Sequence, residues 1–248
     1  MPSNIQLFNM DCMEAMKQMP DKVFDLAITS PPYNANLRIR GNDYCSANYG
    51  SRIKYSNFTD DLPMEEYEEF LVQTIKELVR VTKKYVFFNI QMLSGNKPAL
   101  FGSLGRVKNI LKEVIIWDKV YTEPAISAGV LNSCFEFIFI FSQEDHIRRE
   151  FDYVNFKRGT MDNILRISKK GKSIEGHKAT MPKSIPFQIL NNFAQPGDTI
   201  LEPFLGIGTT AIACYDMGFD LVGYEIDKDY FDAAVKRLEN HKKQITFL

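Results

Sequence analysis

Asp198-Thr199-Ile200-Leu201-Glu202-Pro203-Phe204-Leu205-Gly206-Ile207-Gly208-Thr209-Thr210-Ala211 reads as a strand, a glycine-bearing turn and the start of an Ala-rich helix reaching about Met217. Gly206 and Gly208 let the backbone approach a ligand closely, and free N–H groups at a helix start suit a carboxylate or phosphate. A second strand, Leu221-Val222-Gly223-Tyr224-Glu225, follows. It ends in an acidic residue about twenty positions beyond the glycines, where a carboxylate suits the hydroxyls of a ribose. The third glycine of the dinucleotide fingerprint is absent, since Ala211 stands in its place. Taken alone, the two glycines are equally open to a helix-packing role.

A second informative stretch lies near the start, Thr29-Ser30-Pro31-Pro32-Tyr33-Asn34, after the apolar run Val23-Phe24-Asp25-Leu26-Ala27-Ile28. The run predicts a buried strand. Two consecutive prolines lack the donors a sheet ladder needs, so the chain must leave the sheet in a stiff turn. In open α/β sheets ligands sit at that edge, outside the carboxyl ends of the strands. A serine hydroxyl, rigid carbonyls and an aromatic plate make a pocket for a flat group with an amine on its rim, such as a nucleobase. In isolation the plainer reading is a Pro-Pro turn that closes a strand.

Between these stretches strands and helices alternate, which predicts a doubly wound α/β sheet. Expected strands are Gln6–Phe8, Val23–Ile28, Tyr85–Asn89, Glu113–Trp117 and Phe135–Phe141. Expected helices run over Cys12–Met19, Met64–Thr82, Pro98–Lys112 and Asp229–His241. Tyr67, Leu71, Ile75 and Leu78 recur at helical spacing and belong to a core. At 248 residues and 45% hydrophobic, the chain suits one domain spanning 1–248. It shows no membrane-length apolar run and no basic-then-apolar leader, so a cytoplasmic protein with no membrane partner is expected. Cys12, Cys45, Cys134 and Cys214 are scattered, so reduced thiols and no metal site are expected.

Stretches 34–58 and 143–176 fit neither period, and long unpatterned loops tend to be functional. Charge concentrates there. The net charge is −1, yet residues 34–58 hold Arg38, Arg40, Arg52 and Lys54 against Asp43 alone, a balance of +3. Residues 146–183 reach +6, with Arg148, Arg149, Lys157, Arg158, Arg166, Lys169 and Lys170 among their cations. The remainder must carry −10. With Tyr44, Tyr49, Tyr55 and Phe58 interleaved, the pattern suggests two nucleic-acid-contacting loops. The plainer alternative is solvated surface loops.

Together these motifs resemble the DNA amino-methyltransferases that use S-adenosylmethionine. The family's catalytic motif, (Asp/Asn/Ser)-Pro-Pro-(Tyr/Phe), corresponds to Ser30-Pro31-Pro32-Tyr33. Its cofactor motif, Asp-Pro-Phe-x-Gly-x-Gly-Thr-Thr, corresponds to Glu202–Thr210, with Glu for Asp. Asn9-Met10-Asp11-Cys12 resembles its "Gly-Asp-Cys", and Glu136–Phe141 its "His-Glu-Tyr-Ile-Leu-Val-Phe", with Phe135 for His. Leu78–Asn89 and Ile115–Lys119 fall where its middle strands lie. His177–Pro182 resembles its "His-Pro-x-x-x-Pro". With the catalytic motif before the cofactor motif, the chain is similar to the β-class, a circularly permuted, mostly parallel Rossmann-like methyltransferase sheet.

The resemblance implies methyl transfer from S-adenosylmethionine, with S-adenosylhomocysteine as product and no metal, to the exocyclic amine of a base flipped out of double-stranded DNA. Ser before Pro-Pro-Tyr implies cytosine N4; adenine N6 is the alternative. Ser30 and the Pro31 carbonyl would accept from the amine, Pro32 would stiffen the turn, and Tyr33 would stack on the base. Asp11 would hold the adenine amine of the cofactor and Glu225 its ribose. Glu202, Phe204, Gly206, Gly208 and Thr209 would surround the methionine part, with Cys12, Thr29, His177, Thr210 and Ile226 completing the site. The plainer alternative for Asp11 is an N-cap for the helix at Cys12. A homodimer and a cognate restriction endonuclease are further partners compatible with such an enzyme. Rival readings are a catalytically silent DNA-binding protein that keeps the fold, and a Rossmann dehydrogenase, for which no hydride-transfer residue is visible.

Overall fold

Apolar runs of strand length become adjacent strands whose alternate residues face opposite layers. The structure, a computed structural model, describes residues 3–35, 60–122, 125, 128–143, 148–168 and 181–246, and the backbone alone of three short strands between 38 and 52. In chain order these are β1 (Ile5–Phe8), α1 (Cys12–Lys17), β2 (Phe24–Thr29), β3 (Arg38–Arg40), β4 (Asp43–Cys45), β5 (Ser51–Arg52), α2 (Met64–Val81), β6 (Thr82–Ile90) and α3 (Lys97–Arg106). There follow β7 (Leu111–Asp118), β8 (Phe135–Phe141), β9 (Ile164–Arg166), α4 (Ser184–Phe193), β10 (Thr199–Glu202), α5 (Thr209–Met217), β11 (Asp220–Tyr224) and α6 (Lys228–Thr246).

Among the described residues eight strands form one sheet in the order β1-β11-β10-β2-β6-β8-β7-β9. All pairings are parallel except those of β8, which lies antiparallel between β6 and β7. The mostly parallel, doubly wound sheet expected from the alternation is thus present. Its two faces carry separate cores. Ala27, Val86 and Phe88 pack with Tyr67, Leu71, Ile75 and Leu78 of α2 on one side. Leu26, Ile28, Tyr85 and Phe87 pack with Ile189 and Phe193 of α4 and Ala211 of α5 on the other. Neighbouring residues take opposite faces, as the pleat requires. No helix among the described residues is long and apolar enough to cross a membrane.

Two expectations change. The helix from Pro98 ends at Arg106, not Lys112, because Leu111 and Glu113 pair with Phe141 and Ile140 of β8. The two unpatterned stretches are not free of regular structure. The first carries the small antiparallel sheet β4-β3-β5, and the second carries β9, which extends the main sheet beside β7. Strands of two or three residues are too short to show a period.

Candidate active site

The carboxyl ends of β1, β11, β10 and β2 lie side by side, which gathers the cofactor motif from both chain termini. Asn9 Nδ2 donates to the carbonyls of Glu225 (2.8 Å) and Ile226 (3.2 Å), tying the end of β1 to that of β11. Asp11 is the N-cap of α1: its Oδ1 accepts from the amides of Met13 (2.7 Å) and Glu14 (3.3 Å). The capping reading therefore holds, and it leaves the half-buried carboxylate at the same sheet edge as Glu225. Cys12 is buried, and burial, with Asp11 close by, pushes its thiol pKa up, so it is an inert packing group.

The glycine turn is built for close approach. Gly206 (φ +52°) and Gly208 (φ +78°) both take left-handed conformations that favour glycine. A Cβ on Gly206 would meet nothing within 4 Å, whereas one on Gly208 would press on Ala234 Cβ at 3.3 Å. Gly206 thus faces open space and Gly208 serves α5–α6 packing, so the two roles divide between the glycines. Gly208 caps α5 with no side-chain hydrogen bond, so the first amides of the helix remain available to an anion. Glu225 accepts from the amides of Gly206 (2.8 Å) and Asp227 (2.9 Å), and burial raises its pKa despite those bonds.

Three motif residues turn inward. Glu202 is 3% exposed; its Oε2 accepts from Thr210 Oγ1 (2.7 Å) and its Oε1 from the Phe204 amide (3.4 Å). Burial raises its pKa to about 8. Thr209 Oγ1 receives Arg237 at 3.1 Å, and the same guanidinium nitrogen donates to the Ile207 carbonyl at 3.0 Å. Both threonine hydroxyls are therefore used inside the protein, and the loop offers its backbone. Phe204 meets Phe70 edge-on at 6.0 Å, and Thr29 is fully buried at the end of β2. A glycine open to space, an uncapped helix start and a buried carboxylate suit a ligand with a carboxylate and a ribose. His177 lies outside the described residues.

The Pro-Pro turn leaves β2 beside this edge and is clamped from several sides. Tyr67 Oη donates to the Pro32 carbonyl and Asn96 Nδ2 to the Tyr33 carbonyl, each at 2.7 Å. Asn34 (φ +54°) exchanges two side-chain hydrogen bonds with the backbone of Leu62, at 2.7 and 2.9 Å. The Ala35 amide reaches Asp60, whose pKa is pushed up to about 6 by burial. No hydrogen bond reaches the Pro31 carbonyl among the described residues. Ser30 is half-buried, with Oγ 2.7 Å from Tyr33 Oη. Tyr33 Oη donates to Glu136 Oε2 (2.9 Å), and Asn89 Nδ2 donates to both Tyr33 Oη (2.7 Å) and Glu136 Oε2 (2.8 Å). Asn89, Glu136 and Lys119 carry no motif in the sequence beyond their places in or beside apolar strands. The available signal was a lone polar residue inside each of two apolar runs, Asn89 and Glu136, and the Asp118-Lys119 pair that ends a third.

The candidate DNA-contacting cations separate. β9 runs parallel to β7, so Arg166 ends at the same sheet edge as Ser30, where its Nε lies 3.9 Å from Asp118. The two lie about 19 Å apart, four strand spacings of about 4.8 Å. Arg148 and Arg149 sit at the opposite edge, beside the start of β7: Lys112 Nζ donates to the Arg148 carbonyl (2.7 Å), and Arg149 faces Glu113 (3.9 Å). The chain must cross the full height of the sheet between them. Phe151 and Phe156 pin that crossing on Phe193 at 5.4 and 5.5 Å. Lys157 and Arg158 are exposed along it. For Arg38, Arg40 and Arg52 the backbone alone is described, and Lys54, Lys169 and Lys170 lie outside the described residues.

A Rossmann-like sheet with a cofactor-type glycine turn and a clamped Ser-Pro-Pro-Tyr on adjoining strand ends defines a methyltransferase. Residues 24–236 match the DNA methylase family (N6_N4_Mtase), and the chain belongs to that family. It is an S-adenosylmethionine-dependent DNA methyltransferase of the N4/N6 amino class. The Type II methyltransferase M.HinfI of Haemophilus influenzae is 25% identical to it, over 94% of this chain and 67% of its own length. M.HpaI of Haemophilus parainfluenzae is 26% identical, over 93% and 73%. Among solved structures, the PvuII DNA methyltransferase (cytosine-N4-specific) shares the fold with a TM-score of 0.72 at 16% identity, over 98% of this chain and 93% of that one. An M1.HpyAVI–SAM complex follows at 0.60 and 22%, over 94% and 100%.

Proposed function

We propose that residues 1–248 act as one catalytic domain that methylates the N4 amine of a cytosine flipped out of double-stranded DNA, in the cytoplasm and alongside a cognate restriction endonuclease. The observation that carries this reading is the clamped turn, which holds Ser30 Oγ and a Pro31 carbonyl without a hydrogen bond among the described residues at the strand edge beside the cofactor loop. S-adenosylmethionine supplies an activated methyl group. The difficulty lies with the amine, whose lone pair is delocalised into the ring. Two fixed acceptors draw on its two N–H bonds, favour a pyramidal nitrogen and free the lone pair, and they are in place before the base arrives. Tyr33, anchored through its hydroxyl, offers its half-exposed ring to the base and offsets part of the stacking lost on extrusion. Methylation-sensitive sequencing of DNA from cells expressing this chain tests the assignment: N4-methylcytosine at one short site supports it, and N6-methyladenine overturns it in favour of the sister chemistry.

The cofactor assignments give a second expected result. Glu225→Ala weakens S-adenosylmethionine binding by about 1–3 kcal/mol, the scale of hydrogen bonds to a charged acceptor. It also lowers the melting temperature of the cofactor-free protein, because the amides of Gly206 and Asp227 lose their acceptor. Unaltered affinity by calorimetry would remove Glu225 from the ribose site.

The DNA surface follows from the sheet edge. Arg166→Ala reduces the slope of log affinity against log salt by about one, on target and random duplexes alike, since phosphate contacts carry no sequence. Arg148→Ala, at the opposite edge, leaves the slope unchanged, as does Lys236→Ala on α6. Equal flattening by Arg148→Ala and Arg166→Ala would mean that DNA wraps both edges.

A further inference from the structure

We propose that the buried ion pair between Lys119 and Glu136 fixes the direction of the hydroxyl chain Ser30–Tyr33–Glu136, so that Ser30 turns its lone pairs, and not its proton, towards the amine. The inference rests on the base-site reading above and makes Glu136 and Lys119 positioning residues. Four adjacent strands meet here: the chain just past β2 gives Ser30 and Tyr33, β6 gives Asn89, β8 gives Glu136, and the residue after β7 is Lys119. Lys119 Nζ lies 3.0 Å from Glu136 Oε1, and both side chains are 4% exposed. A carboxylate paired with an ammonium accepts hydrogen bonds and has none to give. Its Oε2 must therefore receive the Tyr33 proton and one Asn89 N–H. Tyr33 Oη is left with lone pairs only; these accept the second Asn89 N–H and the Ser30 hydroxyl, each at 2.7 Å. Ser30 has then spent its proton and can only accept on the side that faces the base. Were the chain reversed, the Ser30 O–H would point at an N–H of the amine, donor against donor.

Two further observations support a built device. Turning the Asn89 amide over would set its oxygen against the carboxylate, so the donor orientation is fixed, although it leaves Asn89 Oδ1 buried with no hydrogen bond among the described residues. Lys119 also sits at the start of a strained turn. Val120, β-branched, takes φ +64°, and the Tyr121 amide bonds back to the Lys119 carbonyl at 2.6 Å, a tight three-residue turn that such a residue rarely adopts. The Val120 amide on Asp118 (2.8 Å) and the Lys119 amide on the Cys134 carbonyl (2.9 Å) hold it there. Strain kept by so many contacts marks a position that the surroundings over-determine.

The test replaces the pair together, Lys119→Met with Glu136→Gln, so that no lone charge stays buried and the glutamine amide can donate to Tyr33 and reverse the chain. Methyl transfer is measured on genomic DNA from a strain without DNA methylation, with radiolabelled S-adenosylmethionine. The double variant should lose about 10- to 1000-fold in kcat, with KM for DNA and cofactor affinity unchanged. Tyr33→Phe should cost the wild type a similar factor and cost the double variant almost nothing further, since coupled residues are non-additive. Full turnover in the double variant, or losses that multiply, would overturn the proposal. A wild type that binds the cofactor and methylates no DNA would overturn the base-site reading instead. Should the double variant fail to fold, Tyr33→Phe is combined with Ser30→Ala: no additional loss supports the directed chain, and multiplied losses overturn it.

Discussion

Ser30→Ala transfers methyl groups about 10- to 1000-fold more slowly than the wild type, the scale for removing one preorganised hydrogen-bonding group at a reacting centre. Its affinity for S-adenosylmethionine stays unchanged, because the cofactor loop hangs from β10 and β11 and none of its hydrogen bonds involves Ser30. The fold should tolerate the change at a cost of about 1 kcal/mol. The Pro32 and Tyr33 carbonyls keep their clamps on Tyr67 and Asn96, and Tyr33 keeps Glu136 and Asn89. Single-turnover rates at saturating cofactor, beside calorimetric cofactor binding, separate the two effects. Wild-type turnover would show that the Pro31 carbonyl alone polarises the amine. A parallel loss of cofactor affinity would show that the two halves of the site are coupled through Thr29 at the end of β2.

The parts of this site that sequence displays are those that bend the backbone. Two prolines after an apolar run and two glycines before an Ala-rich run mark strand ends by steric necessity, so Ser30 and Gly206 could be placed at a sheet edge from residue types alone. The partners of Ser30 could not. Asn89, Glu136 and Lys119 meet only because β6, β8 and β7 follow β2 in the sheet, with β8 inserted antiparallel. That order brings Glu136 to Tyr33 across 103 positions. Linear charge counts failed in a related way. Residues 146–183 form one basic block in sequence, yet the chain climbs the height of the sheet within it, so Arg149 lies by Glu113 and Arg166 by Asp118, at opposite ends of β7. Composition reports how much charge a segment holds and says nothing of which edge receives it.

Glu202 should make the stability of the protein fall as pH rises from about 5 to about 8. Its side chain is fully enclosed, and burial lifts its pKa from 4.5 to about 8, against the opposing hydrogen bonds from Thr210 and the Phe204 amide. Within that window the folded chain keeps a proton that the unfolded chain has released. The native state binds more protons, so the slope of unfolding free energy against pH is negative. The stabilisation is complete below 4.5 and lost as pH passes through 8. At about 1.4 kcal/mol per unit the whole span amounts to about 3–5 kcal/mol. Glu202→Gln keeps an acceptor for Thr210 and carries no titrating proton, so urea unfolding should find the variant gaining on the wild type by that amount between pH 5 and pH 8. Asp60 and Glu225, also raised by burial, tilt both proteins alike and cancel in the difference. A difference that stays constant with pH would mean that Glu202 is charged in the folded protein. The distinction bears on cofactor binding. A neutral Glu202 leaves Glu225, among the described residues, as the negative group hydrogen-bonded to the glycine turn, so a methionine carboxylate arriving at the start of α5 meets one fewer like charge beside the helix amides. Glutamate stands where the family's motif has aspartate, and its buried carboxyl is spent on Thr210 and the Phe204 amide rather than on the open face of the loop.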